Sequence, residues 1–530
     1  MSQEVGKRAY WCDTCHVPLI GEKCLSCGHE GRDLCAATLV PVFRSEIAYL
    51  KNITERSIHH LLKEGEVWVA PGSYTYYCKG IHFLKLSATN GNVEISSQAK
   101  ELKPQKRTLK KALDTLKIAN RQYIEDLQYE AENFIVKTVA SYDGKITMIS
   151  FSGGKDSTVV SHLVMNALGR SDVLHIFADT TIEFPDTYSY IQEFQNQHPL
   201  TPFIQSRSQL DFFKTAESIG PPSRILRWCC TTHKTNPLSK LIDSMSPKRG
   251  VLTFDGVRKM ESSRRSNYPR ISNDHKIARE VLARPILEWS DMQVWFYMIF
   301  HEIFFNKAYK KGFRRVGCLF CPFNSDWSQI LFKKYYFNQW KKWRSFLKKQ
   351  AVRMSHPNPE VFVEHGWRAR AGGRGLEFYK SSIEAAPCIL SESAVQYQLL
   401  SGDIRLIRHF LRPFGPQSIV KKDIYSETFL IHDFQSNQIL ASVEAGYMDQ
   451  AIRINYIVDK NKRLFQQRVE KQLKKLQVCI FCGACGAQCK FNALNSENHF
   501  FIDDSKCNSC LVCVSHNCPI VKSLHYKGIN

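Results

Sequence analysis

The stretch Ser150-Phe-Ser-Gly-Gly-Lys-Asp-Ser157 gathers the residue types that hold a phosphate. Two glycines let the backbone approach an anion closely. Loop amides running into a helix N-terminus face that anion, and Lys155 adds a point charge. Gly-x4-Gly-Lys-Ser/Thr is absent, so this is not a Walker loop. Cysteine is the second chemical signal: of 19 in the chain, 16 have metal-like spacing. Cys12, Cys15, Cys24 and Cys27 form two Cys-x2-Cys pairs, Cys229 and Cys230 are adjacent, and Cys318 and Cys321 form a further pair. Cys479, Cys482, Cys485, Cys489, Cys507, Cys510, Cys513 and Cys518 crowd one segment. In a reducing compartment such usage favours metals over disulfides. The first quartet predicts a structural zinc ribbon in residues 1–35, since four thiolates leave a tetrahedral ion no open position. Cys35, Cys78 and Cys388 read as buried small hydrophobes.

These groups need scaffolds. Within 145–355, the apolar runs Ile146–Phe151, Val173–Ala178 and Val251–Phe254 alternate with helical stretches. That alternation predicts an α/β domain, with a mostly parallel sheet between helices on both faces. The phosphate loop is expected to be exposed at the sheet edge. Residues 36–100 read as a small module with a helix over Arg44–Lys63 and strands at Val67–Ala70, Tyr74–Tyr77 and Ile81–Leu86. The segment 101–144 reads as a basic linker and solvated helix, because residues 100–121 hold eight basic and two acidic side chains. Residues 327–354 predict one long basic, aromatic helix, with Tyr336, Trp340, Trp343 and Leu347 on its docking stripe. Residues 356–476 mix helix and strand without a chemical motif, and 477–530 carry the last eight cysteines.

A length of 530 residues predicts three to five domains. With 72 basic and 50 acidic residues the formal charge is +22, which suggests a polyanionic partner such as nucleic acid. No apolar run approaches the ~18–20 residues that a bilayer demands, and the start has no apolar signal region. The expectation is a cytoplasmic protein with no membrane role.

Ser152-Gly-Gly-Lys-Asp-Ser157 resembles the PP-loop of ATP pyrophosphatases, which cleave ATP between the α and β phosphates and transfer AMP to a substrate oxygen. Phe177–Asp186, Asp255-Gly-Val-Arg-Lys-Met-Glu-Ser-Ser-Arg264, Arg284–Trp289 and Asn306-Lys-Ala-Tyr309 narrow the resemblance to the phosphoadenylyl-sulfate (PAPS) reductase-like branch, with its adenine-nucleotide α-hydrolase-like fold. The resemblance implies that Ser152, Gly153, Gly154, Lys155, Asp156, Ser157, Asp179, Gly256, Arg258 and Arg264 bind ATP. It makes Lys155, Asp156 and Arg258 catalytic, with Asp156 helping to hold Mg²⁺. Arg258 and Arg264 are the candidates for clamping phosphate, since a guanidinium fork matches two oxygens.

The pairs Cys229/Cys230 and Cys318/Cys321 are similar to the [4Fe–4S] site of adenylyl-sulfate reductases and of DNA-phosphorothioation pyrophosphatases, with zinc as the alternative. His233 and Lys234 lie beside them. The Cys-Gly-x-His nucleophile of sulfonucleotide reductases is missing; the nearest string is Cys27-Gly28-His29. The last eight cysteines resemble a bacterial two-cluster ferredoxin, in which the fourth cysteine of each run serves the other cluster. That implies one [4Fe–4S] on Cys479, Cys482, Cys485 and Cys518 and another on Cys489, Cys507, Cys510 and Cys513, against two zinc sites as the alternative. Lys490 replaces the usual proline, and the second run has one extra residue before its last cysteine. Residues 36–100 resemble a PUA-like barrel.

The implied cofactors are three [4Fe–4S] clusters, one Zn²⁺, and ATP with Mg²⁺. The implied activity is adenylation of a nucleic-acid oxygen for replacement by sulfur from a cysteine desulfurase, alongside other modification-system proteins. DNA phosphorothioation is favoured over tRNA thiolation. Sulfonucleotide reduction and a non-catalytic iron–sulfur scaffold are the remaining alternatives.

Overall fold

A computed structural model of the chain describes residues 8–524, except 55–58, 60–61, 90–91, 99–107, 247–248, 274–276, 278, 371–382, 389–393 and 459–460. At its centre the chain runs α1 (Leu109–Ser141), β1 (Ile146–Ser150), α2 (Lys155–Leu168), β2 (Leu174–Asp179), α3 (Pro185–Gln197), β3 (Phe203–Arg207), α4 (Phe212–Ile219), α5 (Asn236–Met245), β4 (Val251–Phe254), β5 (Ile271–Asn273), β6 (Glu280–Ala283) and α6 (Asp291–Phe300). The six strands form one sheet in the order β3-β2-β1-β4-β6-β5. The first five in that order run parallel and β5 is antiparallel to β6. Strands covered on both faces need consecutive apolar residues. Met148, Ile149, Ile176, Phe177, Val251, Leu252 and Phe254 meet that need, each 2% exposed or less. This is the expected α/β class.

The chain leaves β1 toward β2 on one side and returns to β4 on the other. The strand order therefore reverses between β1 and β4, where open α/β sheets bind ligands. The phosphate loop follows a central strand, and Gly153, Gly154 and Lys155 are buried. The expectation of a loop exposed at the sheet edge is thereby corrected. Strand order is a tertiary property that apolar runs alone do not encode.

Helix α1 is not a solvated linker. Its lysines alternate with a stripe of Ala112, Leu116, Ala119, Ile124, Ala131 and Ile135, all buried. Asn120, 1% exposed, takes the Ile20 amide at 2.9 Å and donates to the Pro18 carbonyl at 3.1 Å, tying α1 to the N-terminal knuckle. The basic run before it, 99–107, lies outside the described residues.

The N-terminal knuckle is a three-stranded antiparallel sheet, Val17–Leu19, Ala9–Cys12 and Arg32–Ala36. A five-stranded antiparallel sheet follows, from Val40–Pro41 to Asn92–Gln98. Its helix is Arg44–Ile53 and stops well short of the expected Lys63. Glu46 of that helix is fully buried, accepts from the Tyr76 hydroxyl at 2.9 Å and pairs with Arg314, which fastens the module to the central domain. The expected helix over 327–354 is two helices, Asp326–Tyr335 and Phe337–Arg353, broken at Tyr336. Tyr336, Trp343 and Leu347 are buried as expected, but Trp340 is only partly covered.

Beyond it, a six-stranded antiparallel sheet between Glu384 and Tyr456 packs on the helix Lys462–Val478. Cys78 and Cys388 are buried, whereas Cys35 is exposed, its φ of 52° falling where the strand Arg32–Ala36 slips register against Ala9–Cys12. No helix among the described residues is long and apolar enough to cross a membrane.

Candidate functional site

The phosphate loop is shaped by contacts that only small residues permit. Gly153 has φ +69°, and a Cβ there would lie 3.0 Å from Thr187 Cγ2. A Cβ on Gly256, in the loop after β4, would fall 2.8 Å from the Asp156 carbonyl carbon and 2.9 Å from the Ser157 nitrogen. The two loops thus meet backbone to backbone at the switch point. Ser157 Oγ accepts from the Ser152 amide at 3.1 Å and donates to the Gly154 carbonyl at 2.9 Å, closing the loop on itself. Asn306 Nδ2 donates to the Gly153 carbonyl at 3.1 Å, and the Lys155 amide donates to the Tyr309 hydroxyl at 3.0 Å.

Beneath the loop lies a compact charge network. Lys155 Nζ is 2.9 Å from Asp156 and 3.0 Å from Asp291. Arg258 Nε is 2.7 Å from Asp156, its Nη2 is 2.7 Å from Asp291, and its Nη1 donates to the Trp289 carbonyl at 3.2 Å. Burial opposes the charged form of Asp156, but Arg258 and Lys155 outweigh it and hold the carboxyl below its usual range. The same balance depresses Asp291 strongly through Lys155 and Arg258. Burial also opposes the Lys155 charge, and Asp156 and Asp291 overcome it, so the ammonium stays protonated.

Arg258 was expected to clamp phosphate. Instead its side chain is 2% exposed and fully engaged, because a buried guanidinium requires nearby carboxylates and Asp156 and Asp291 supply them. It orients Asp156. Arg264 lies exposed beyond this network. Asp179, at the end of β2, is 2% exposed and accepts from the Thr181 amide, the Tyr188 hydroxyl and the Gln205 side-chain amide Nε2, each at 2.7 Å. Its present work is to pin the turn after β2. Asp291, Asn306 and Tyr309 complete the site. The run Asn306–Tyr309 was visible as a resemblance, whereas Asp291 stood two residues beyond the recognisable Arg284–Trp289 string and carried no signal of its own.

The turn after β2 leads directly to cysteine. Thr180 Oγ1 lies 3.3 Å from Cys318 Sγ, and Glu183 Oε1 lies 3.5 Å from it. Cys229 is raised by its hydrogen bond with Cys230, by burial, and by Cys318 and Cys321 nearby. The bond from Cys229, together with Arg227 and Lys234, lowers Cys230 despite its burial. The four thiols therefore share one neighbourhood, next to the nucleotide loop. His233 is fully buried, and neither ring nitrogen has a hydrogen-bond partner among the described residues.

The other quartets differ in tightness. The sulfurs of Cys12, Cys15, Cys24 and Cys27 all lie within 4.8 Å of one another, and among the described residues no other set of three or more ligating side chains is so close. Cys12 Sγ and Cys27 Sγ are 3.5 Å apart. Zn–S bonds of about 2.3 Å in a tetrahedron put sulfurs about 3.8 Å apart, so this quartet fits one zinc ion. In the tail, Cys482 interacts with Cys518, Cys485 and Cys479. Cys513 interacts with Cys485, Cys489 and Cys507. Cys489, Cys507, Cys510 and Cys513 line one pocket together with Phe491, Leu494 and Leu511.

A protein of Methanocaldococcus jannaschii, itself uncharacterized, is 33% identical over 261 residues, 49% of this chain and 53% of the relative; the chain thus spans about half that relative's length. An adenosine 5'-phosphosulfate reductase of Bacillus cereus is 25% identical over 182 residues, 34% of this chain and 74% of the relative. The crystal structure of phosphoadenylyl-sulfate reductase from Candida auris, a phosphate complex, aligns with 38% of this chain and 95% of its own at 15% identity and a TM-score of 0.28. Residues 146–324 match the phosphoadenosine phosphosulfate reductase domain family.

Proposed function

We propose that the chain is an ATP pyrophosphatase that adenylates an oxygen of a nucleic acid so that sulfur can replace it, DNA phosphorothioation being the favoured setting and tRNA thiolation the related one. One juxtaposition carries this reading. The phosphate loop and its Lys155–Asp156–Arg258–Asp291 network meet, through the turn Asp179–Glu183, a quartet of cysteines. Nucleotide chemistry and sulfur chemistry therefore share one crevice.

The substrate oxygen attacks the α phosphorus, its bond to the β-bridging oxygen breaks, and pyrophosphate leaves with the electron pair. The terminal sulfur of a persulfide, supplied by a cysteine desulfurase, then attacks the adenylated centre and AMP departs with the oxygen; a second thiol attacks the S–S bond left behind, releasing the thio product and forming a disulfide. The loop and the α2 N-terminus orient the phosphates. Lys155 offers charge to the leaving group, and Arg258 and Asp291 fix Asp156 in place. Mg²⁺ would supply charge neutralisation on the phosphates. Asp156 fits it through Oδ2, which accepts only from Lys155 and keeps a lone pair, whereas Oδ1 accepts from both Lys155 and Arg258. The cysteine quartet at Cys229, Cys230, Cys318 and Cys321 would hold a [4Fe–4S] cluster, and the tail two more.

Purified protein with Mg²⁺, ATP and nucleic acid should release AMP and pyrophosphate, and Asp156→Ala should abolish that release. ADP and phosphate as products would refute the assignment. Mass spectrometry of DNA and tRNA nucleosides, from cells with and without the gene, should show gain of a phosphorothioate dinucleotide or a thio-base. Sulfonucleotide reduction is the second reading, favoured by the similarity to adenosine 5'-phosphosulfate reductase over 34% of the chain. Sulfite release from adenylyl sulfate distinguishes it.

A further inference from the structure

The helix Phe337–Arg353 has two faces with different surroundings. The inner one buries Trp343, Phe346 and Leu347, and Trp343 stacks on Phe320 at 4.8 Å and 12°, within the turn between Cys318 and Cys321. Trp340 and Lys341 lie three and four residues after Phe337, Arg344 lies three after Lys341 and Lys348 four after Arg344, which places them together on the other side. No acidic residue occurs anywhere in this helix.

Phe337 is 54% exposed and stacks on Trp340, with centroids 5.6 Å apart and planes at 24°. Lys333 sits over the Trp340 ring at 5.3 Å and Arg344 at 5.1 Å. The break at Tyr336 creates this arrangement. Tyr336 is buried and donates its hydroxyl to Asp186, which also accepts from Lys311 at 2.8 Å. The chain restarts its helix one residue later, with Phe337 turned to solvent. Glu360 takes part of the charge, from Lys348 at 3.0 Å and Arg344 at 3.5 Å. Lys333, Lys341 and Lys349 remain exposed.

We propose that this outer face is a stacking platform for single-stranded nucleic acid, with bases on Phe337 and Trp340 and backbone phosphates against Lys333, Lys341 and Arg344. The inference deepens the function proposed above, on which it rests for its occupant. The chemistry selects single strands. Every base offers a π-face to an aromatic ring, and flanking cations track the phosphates. A duplex hides its base faces within the stack. An acidic protein would satisfy the cations and leave the two rings without work.

The full chain is titrated with fluorescein-labelled oligothymidylate, oligouridylate and a mixed-sequence duplex, read by anisotropy. Phe337→Ala together with Trp340→Ala should weaken single-strand binding by about ten-fold or more. The salt dependence of that residual binding should be unchanged. Lys333→Gln with Lys341→Gln should instead flatten it, by about 0.7 log–log units per lost phosphate contact. Trp340→Phe keeps a ring and should restore most of the affinity. Phe337→Ala alone, at an exposed position, and a melting curve for each variant guard against a folding defect. The thymidylate and uridylate arms distinguish a DNA strand from an RNA strand. Binding indifferent to loss of both rings, or a duplex held as tightly as either single strand, overturns the platform. The readout is binding alone. A chain that binds but produces ADP refutes the ATP chemistry and leaves the platform standing, while one that releases pyrophosphate but ignores the ring changes refutes only the platform.

Discussion

Asp156 and Asp291 each bond both cations of the network, so neither cation can lose a carboxylate without leaving buried charge short of compensation. Asp291→Asn keeps the shape and removes one charge. It should destabilise the protein by about 2 kcal/mol at neutral pH, less than for a fully buried pair because Asp156 remains and Asp291 is partly exposed. The sign with pH follows from the depressed carboxyl. Its stabilising contribution is complete above the ordinary carboxylate value of about 3.9 and is lost as pH falls through the lower folded-state value. Urea denaturation of both proteins should therefore show the largest gap near neutrality and a shrinking gap in acid. A gap independent of pH would mean that the charge of Asp291 is not what stabilises. The loop string Ser152–Ser157 was legible because its chemistry is contiguous. The role of Arg258 was not, since its Asp156 partner is 102 positions away and a guanidinium reads the same in sequence whether it faces a phosphate or a buried carboxylate.

Among the elements, β1 and β4 matter most, because their following loops touch without side chains between them. Gly256→Ala would push its Cβ against backbone atoms of Asp156 and Ser157, which cannot swing aside as a side-chain tip can. Overpacking of this kind costs about 1–3 kcal/mol, and here the displaced backbone is the loop proposed to hold phosphate. ATP cleavage should fall further than the melting temperature suggests, measured as pyrophosphate release beside a thermal melt. An active Gly256→Ala protein would show that the two loops separate without loss of function.

The parallel strands were readable from their apolar runs, and so was the class they build. Helix α1 misled because half of its buried apolar stripe is alanine and its first turns carry lysines, a weak hydrophobic signal within a strong charge signal. The break at Tyr336 had no Gly or Pro to announce it. A tertiary bond to Asp186 holds it, and no local pattern contains that information.

At the scale of the whole molecule, the N-terminal knuckle and the cysteine-rich tail are mechanically linked to the central sheet. The tail seats Gly483 so close to α5 that a Cβ would fall 2.0 Å from Asn236 Nδ2, and Lys240 of α5 pairs with Glu497. The knuckle is tied through Asn120 to α1, which packs on α2. Metal occupancy should therefore be felt across domain boundaries. Anaerobic protein should contain about twelve irons and about one zinc, from three [4Fe–4S] groups and one four-cysteine ion. The knuckle supports the zinc half of this count, with sulfurs within 4.8 Å where one ion fits. In the tail, Cys489, Cys507, Cys510 and Cys513 line one pocket, which supports a group shared among those four thiols. Cys318→Ser should remove about a third of the iron and leave the zinc unchanged, because Cys318 interacts with Cys321 and Cys229 of its own quartet. Iron near eight atoms with zinc at two or more equivalents, roughly two clusters and two ions, would instead assign zinc to Cys229, Cys230, Cys318 and Cys321. That crevice would then have lost its means of carrying electrons, and the sulfur chemistry proposed for it would have to use the thiols alone.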